Sequence, residues 1–339
     1  MQSIDGKNAQ AEAKSADRRV RCALGIVIIN YRTPALVKDC LVSLGPDLEP
    51  LDARVAIVDN FSNDGSAEEI AEWLMTGEMW KGRVFLIRSP SNEGFSGGNN
   101  IGIRAFDAAH YLLLNSDTLA RPGALKAMLD ASARETDAGV VAPRLEDADG
   151  TPQISAFRFH SPLSEFLSAA ETRPLDRLFS FAVVPVPVSD EPIDCDWASF
   201  ACVLLKRAAI DDAGPMDEGY FMYFEDADYC RALKEKGWRV LYEPSARVVH
   251  LRGGSSPVKS SMTAKKRPPA YYYAARTRYF RKWHGPFGHV AANLMWLAGR
   301  GVARLRALFG KPAPALCDHQ GADQWTNWRA PLGDRRATE

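Results

Sequence analysis

Between residues 23 and 143 the chain alternates short, nearly continuous apolar runs with longer amphipathic ones. The run ALGIVIIN (23–30) is rich in β-branched residues on both alternating faces, as expected of a strand buried on both sides. Thr33 and Pro34 then offer an N-cap and a first-turn proline to the helix PALVKDCLVSL. The pattern continues with strand ARVAIVD (53–59), a helix from Ser66, strand RVFLIR (83–88), a helix from about Gly98, strand YLLLN (111–115), a helix from Pro122 and strand GVVAP (139–143). Strands separated by single helices imply right-handed βαβ units and a mainly parallel, Rossmann-like sheet, an α/β fold. Ligands in such folds sit at the carboxyl ends of the strands.

The second half reads differently. An irregular or helical stretch (161–188) precedes a strand DWASFACVLLKR (196–207), a helix starting near Asp226, and two strands, WRVLYEP and ARVVHL. GGSSPVKSS is a flexible linker by composition, residues 268–309 predict two helices, and the Pro-, Gly- and charge-rich stretch 311–339 predicts a loosely ordered tail. Residues 1–20 are polar and read as a disordered tail, without the apolar core of a secretory signal.

Composition narrows the class of protein. At 339 residues, 46% hydrophobic and 25% charged, the chain is an ordinary globular protein rather than a disordered or disulfide-framed one. Its 42 basic residues balance 42 acidic ones, so no overall field favours nucleic acid. Six scattered cysteines without C-x-x-C spacing argue for reduced thiols in a cytoplasmic chain. No run of 18 apolar residues offers a membrane span.

Candidate chemistry lies where the strands end. Asn30 closes the first strand, and Asp59-Asn60 closes the second, ahead of SNDGS. Ser66 and Glu69 read as a capping box. Asp59 is left either to hydrogen-bond a ligand or to orient its own turn. The segment SNEGFSGGNNIG (91–102) lets backbone approach a ligand and turns a helix amino terminus towards an anion, yet it matches neither the dinucleotide nor the P-loop pattern. Asn115 and Asp117 fall on one side of the rim after YLLLN, where Asp117 offers a hard oxygen to a cation bridging a diphosphate, or else caps the next helix. The densest cluster is GYFMYFEDADYC (219–230), in which Glu225, Asp226 and Asp228 follow aromatic residues, a setting in which a general base is tuned. His250 ends the last strand.

Taken in order, GIVIINYRTPA, VAIVDNFSNDGS, SNEGFSGGNNIGI, YLLLNSD, FMYFEDADYC and RVVH resemble glycosyltransferase family 2, the GT-A fold, particularly its rhamnosyltransferase-like bacterial members. The resemblance covers about residues 23–252 and implies a catalytic domain over 21–252, with a donor half to about 145 and an acceptor half beyond it, followed by a linker and C-terminal helices to 310. It implies an inverting transfer from a nucleoside-diphosphate sugar, with dTDP-L-rhamnose first and UDP-sugars next, to a glycan or lipid-linked glycan in cell-envelope polysaccharide assembly. Asn30, Asp59, Asn92, Gly94, Asn99, Asn115 and Asp117 would line the donor site. Asp117 and His250 would hold Mg²⁺ or Mn²⁺, and Asp226 would be the base, supported by Glu225. Two positions depart from the family pattern: the usual D-x-D is Asn115-Ser116-Asp117, and Phe200 stands where many members carry glycine, narrowing the sugar pocket.

Two other readings compete. A sugar-nucleotide pyrophosphorylase would want a Gly-rich basic loop after the first strand, where this chain offers only Arg32. A silent nucleotide-sugar or glycan-binding protein would bind without turnover. Residues 259–309 add a local basic bias with interleaved aromatics and a leucine stripe (Leu294, Leu297, Gly301, Leu305, Leu308), read either as a packed helix or as a peripheral contact with the anionic inner leaflet of the cell membrane.

Overall fold

The computed structural model describes residues 20–251 and 258–333. The tail expected over 1–19, residues 253–257 of the expected linker and residues 334–339 lie outside that set.

The first half runs β1 (Val20–Asn30), α1 (Pro34–Leu48), β2 (Ala53–Asp59), α2 (Ser66–Met75), β3 (Val84–Arg88), α3 (Gly94–Arg104), β4 (Phe106–Asn115), β5 (Thr118–Ala120), α4 (Ala124–Arg134) and β6 (Ala138–Glu146). The second half contains β7 (Ala156–Phe157), α5 (Pro162–Ala170), α6 (Arg173–Leu178), β8 (Ile193–Cys195), β9 (Trp197–Ala198), β10 (Cys202–Lys206), α7 (Arg207–Ala213), α8 (Glu225–Glu235) and β11 (Arg239–His250). It closes with α9 (Val258–Thr263), α10 (Ala270–Trp283), α11 (Gly288–Ala307) and α12 (Gln320–Asp323).

The main sheet has the order β3-β2-β1-β4-β10-β6-β11-β5, with β8 added alongside β11. Its first four strands are parallel, and the pairings Asn30 with Asp59, Asp59 with Arg88 and Ile29 with Asn115 bring their carboxyl ends to one rim. The other half is mixed: β10 runs antiparallel between β4 and β6, β11 is parallel to β6, and β5 and β8 run antiparallel to β11. The period of two divides the core. Ile26, Ile28, Ile57 and Leu112 pack with α1 and α4 on one face, while Val27, Val58, Leu113 and Val203 join the helices of the other.

Several local expectations need correction. The helix placed at Gly98 begins at Gly94. Gly102 inside it serves packing, because a Cβ there would lie 2.3 Å from Val27 Cγ1. Ser66 and Glu69 form no capping box; Gly65 holds the cap position at φ +89°, Ser66 donates to Asp64, and Glu69 pairs with Lys38 at 2.7 Å. The strand expected over 196–207 is broken at Ser199–Ala201, whereas WRVLYEP and ARVVHL form one strand with an irregular register between Glu243 and Arg247.

The C-terminal helices are part of the core. Arg276, 2% exposed, donates to Glu165 of α5 at 2.8 Å and to Asn293 of α11 at 2.7 Å. Tyr273, Tyr279 and Phe280 are buried, Arg278 and Lys282 bind Asp217, and Arg267 binds Asp323. Arg276, Arg278 and Lys282 and the rings of Tyr273, Tyr279 and Phe280, expected to meet a membrane along α10, are therefore spent inside the protein. Residues 311–333, expected to be loose, are also held: Thr277 donates to the Thr326 carbonyl, Asn293 to that of Gln324 and Arg300 to that of Pro314. Composition missed this because the anchors are backbone carbonyls, which any residue supplies. Among the described residues no helix is long and apolar enough to cross a membrane.

The tight seat of α3 on β1 gives a testable consequence. Gly102→Ala should cost about 1–3 kcal/mol of unfolding free energy by overpacking. In urea titration, adding Val27→Ala should make the pair less destabilised than the sum of its single changes; strict additivity would contradict the contact.

Candidate active site

At the carboxyl rim of the parallel strands opens a cleft of about 920 Å³. One wall is the end of β4 and the turn into β5. Asn115 closes β4, its N–H bonded to the Ala201 carbonyl, and Ser116 Oγ lies 3.1 Å from Thr33 Oγ1. Thr33 occupies the N-cap position of α1 without capping it, because its hydroxyl is turned to this loop. Asp117 comes next, only 1% exposed, and among the described residues neither carboxylate oxygen accepts a hydrogen bond.

The antiparallel pairing of Thr118 with His250 sets the β11 terminus beside this turn. His250 Nε2 lies 3.6 Å from Asp117 Oδ1, and the Leu251 N–H donates to the Asp117 carbonyl. Gln153 donates to the His250 carbonyl at 2.8 Å and so holds the strand end. A buried carboxylate with both oxygens unsatisfied is costly unless a positive charge meets it. A hard oxygen next to an imidazole nitrogen suits a divalent cation that takes its remaining ligands from phosphate. Among the described residues no group of three or more His, Cys, Asp or Glu side chains could hold a metal, so further ligands would have to come from the bound molecule or water.

The opposite wall is the start of α8. Tyr223 and Phe224 adopt φ of +72° and +65°, an uncommon conformation for bulky side chains that persists only where the surroundings enforce it. Here α10 supplies the enforcement, with the Tyr272 ring 5.5 Å from Tyr223 and 5.8 Å from Phe224, and Tyr279 5.6 Å from Phe224. The turn sends Glu225 and Asp226 into the cleft. Glu225 is 7% exposed, with Oε2 accepting no hydrogen bond. Burial, and secondarily the adjacent Asp226, pushes its carboxyl well above the usual carboxylate range. Asp228, from the same acidic cluster, points elsewhere and binds Tyr220 Oη, Lys282 Nζ and Trp283 Nε1, joining α8 to α10.

Of the residues singled out from sequence, Asn92, Gly94, Asn115, Asp117, Glu225, Asp226 and His250 line the cleft, as does Phe200. Asn30, Asp59 and Asn99 do not. Asp59 accepts from Asn30 Nδ2 at 2.7 Å and from Ser62 Oγ at 2.6 Å, so it orients its own turn, and Asn99 folds back onto the Phe95 carbonyl. Gly94 sits at φ +62°, where a Cβ would come within 2.2 Å of the Phe221 carbonyl oxygen.

Sequence reasoning passed over Asn60. Its amide donates to Asn92 Oδ1 and the Gly94 carbonyl and accepts from the Glu93 N–H, tying the end of β2 to the start of α3. Its place in the pair Asp59-Asn60 was the available signal. Tyr31, Arg32, Tyr223 and Tyr271 also line the cleft, and nothing in their spacing marked them.

Residues 25–182 match the family model described as Glycosyl transferase family 2. The N-acetylglucosaminyl-diphospho-decaprenol L-rhamnosyltransferase of Mycobacterium tuberculosis is 27% identical over 277 residues, 78% of this chain and 87% of that one. The low-salt glycan biosynthesis hexosyltransferase Agl10 of Haloferax volcanii is 25% identical over 222 residues, 62% of each chain. Among solved structures, the mannosyltransferase PcManGT from Pyrobaculum calidifontis, in complex with GDP-Man and Mn²⁺, has a TM-score of 0.56 at 13% identity, over 96% of this chain and 91% of that one. GalNAc-T7 with UDP, GalNAc and Mn²⁺ has a TM-score of 0.54 at 13% identity, covering 92% of this chain but only 59% of that one. At such identity the structural likeness shows the fold, which is GT-A.

Glu225 provides the prediction from this geometry. A carboxyl whose folded pKa is raised stabilises the fold fully below the unfolded value, and that stability is lost as pH rises towards the folded one. Relative to wild type, the melting temperature of Glu225→Gln should therefore rise as pH increases above the ordinary carboxylate pKa of about 4.3. A difference that stays constant or falls as pH rises would contradict the buried carboxyl with a raised pKa.

Proposed function

We propose that this chain, which belongs to glycosyl transferase family 2 over residues 25–182, transfers a hexosyl group from a nucleoside-diphosphate sugar to a hydroxyl of a lipid-linked glycan, with inversion. The observation that carries this reading is the meeting, in one cleft, of a buried unsatisfied carboxylate beside an imidazole with a second acidic pair on the opposite wall. The likeness to a relative named as an L-rhamnosyltransferase with a diphospho-decaprenol acceptor supports a rhamnosyl donor and a lipid-linked acceptor; dTDP-L-rhamnose as that donor, used on the cytoplasmic side of the cell membrane, is part of the same proposal.

In this reading Asp117 and His250 would hold Mg²⁺ or Mn²⁺ at the donor diphosphate. Such an ion, when bound, supplies positive charge where the leaving phosphate gathers negative charge. Asn92, Gly94 and Asn115 shape the donor side of the cleft. Asp226 accepts the proton of the acceptor hydroxyl, whose oxygen forms the new bond to the anomeric carbon as the bond to the phosphate oxygen breaks and its electron pair leaves with the nucleoside diphosphate. Attack from the face opposite the leaving group inverts that carbon. Burial and the adjacent Asp226 raise the pKa of Glu225, which favours its neutral form and so limits the negative charge opposing Asp226. Phe200, 2% exposed and set edge-on to Tyr229, fixes the floor beneath the sugar.

Two measurements test the assignments. Asp226→Asn should lower turnover by roughly 10²- to 10⁴-fold, the usual contribution of a general base, while calorimetric donor affinity stays within a few-fold of wild type. Near-normal transfer would contradict it. Asp117→Ala should abolish the dependence of donor affinity on Mn²⁺ or Mg²⁺, since one of the two protein ligands in this reading is gone; unchanged metal dependence would move the ion elsewhere.

A further inference from the structure

We propose that the outward face of α11 rests on the surface of an anionic lipid bilayer. The inner face of this helix is committed: Ala292, Trp296 and Ala303 are buried, and a Cβ on Gly299 would lie 2.3 Å from the Phe166 carbonyl oxygen of α5. The opposite face carries Leu294, Leu297, Leu305 and Leu308, which are 56, 47, 60 and 79% exposed. At 100° per residue these four share one stripe, and Phe287 and Phe309, 77% and 85% exposed, stand at its two ends. Large side chains exposed along a whole helix need an apolar neighbour.

Charge chooses that neighbour. From residue 251 to 317 the sequence contains 13 Lys and Arg and no Asp or Glu, in a chain whose net charge is zero. Several of these cations are consumed inside the protein, as Arg276 is, but Arg304 on α11 and Lys311 just beyond it are exposed. An apolar stripe bordered by cations complements acyl chains beneath anionic headgroups, and lies on them without spanning. Arg306 donates to the carbonyls of Ala170 and Glu171, so the far end of the stripe is rigidly joined to the catalytic domain. The inference rests on the proposed function only for its purpose, which is to bring the cleft to an acceptor carried on lipid.

The test is flotation of the full chain with vesicles of phosphatidylcholine alone or with about 30% phosphatidylglycerol. Wild type should partition onto the anionic vesicles at least about tenfold more strongly, and raised salt should weaken the attachment. Leu305→Ser/Leu308→Ser and, separately, Arg304→Glu should each cut partitioning about tenfold while melting temperature and donor hydrolysis stay at wild-type values, since none of these side chains lines the cleft. Equal partitioning onto both vesicle types, or unaltered flotation of the leucine variant, overturns the proposal. So does a wild-type dimer in light scattering that the leucine variant converts to monomer, because a second copy would then cover the stripe. Flotation without any donor turnover would instead contradict the proposed function and leave the membrane face standing.

Discussion

Asp117 is buried with neither carboxylate oxygen satisfied among the described residues, and the construction around it is what denies it partners. It sits in a two-residue turn between β4 and β5, whose backbone is fixed from three sides: by the pairing of Thr118 with His250, by the bond from Leu251 to the Asp117 carbonyl, and by Thr33 against Ser116. A buried carboxylate of this kind is costly unless a positive charge meets it, and among the described residues an imidazole nitrogen lies 3.6 Å away. In the proposed reading, this buried carboxylate is where a cation shared with the diphosphate of a sugar nucleotide would sit.

The facing wall depends on a different constraint. Two consecutive aromatic residues with positive φ precede α8, and their rings lie against Tyr272 and Tyr279 of α10. Asp228 extends the same connection through Lys282 and Trp283. The C-terminal helices are therefore not an appendage to the catalytic domain: they hold the turn that aims Glu225 and Asp226. Strain of this kind is maintained by packing elsewhere, in this case by a segment some fifty residues further along the chain.

The parallel half of the fold was legible because each of its strands is an apolar run ended by polar residues, and the side chains at those ends are where the cleft opens. Asp117 and His250 could be singled out for the same reason, and the Glu225-Asp226 pair because it follows an aromatic run. Asp59 and Asn99 looked equivalent in sequence and are not, since whether a polar side chain faces the cleft or its own turn depends on one hydrogen bond, such as Ser62 to Asp59, that no periodicity reveals. The break in the strand at Ser199–Ala201 was hidden because Ala198, Phe200 and Ala201 carry the apolar run through it. The role of α10 was hidden more deeply. Its basic and aromatic residues have the composition of a membrane-facing helix, and only the positions of Glu165, Asp217 and Asp228, far away in sequence, show that these side chains are used internally.

The most direct test of the cleft as a metal-assisted nucleoside-diphosphate site is anomalous scattering from crystals grown with Mn²⁺ and a nucleoside diphosphate. A single manganese peak within bonding distance of both an Asp117 oxygen and His250 Nε2, with diphosphate oxygens completing its shell, is the expected result. A diphosphate bound with no metal between these two side chains, or manganese bound elsewhere in the cleft, would contradict it.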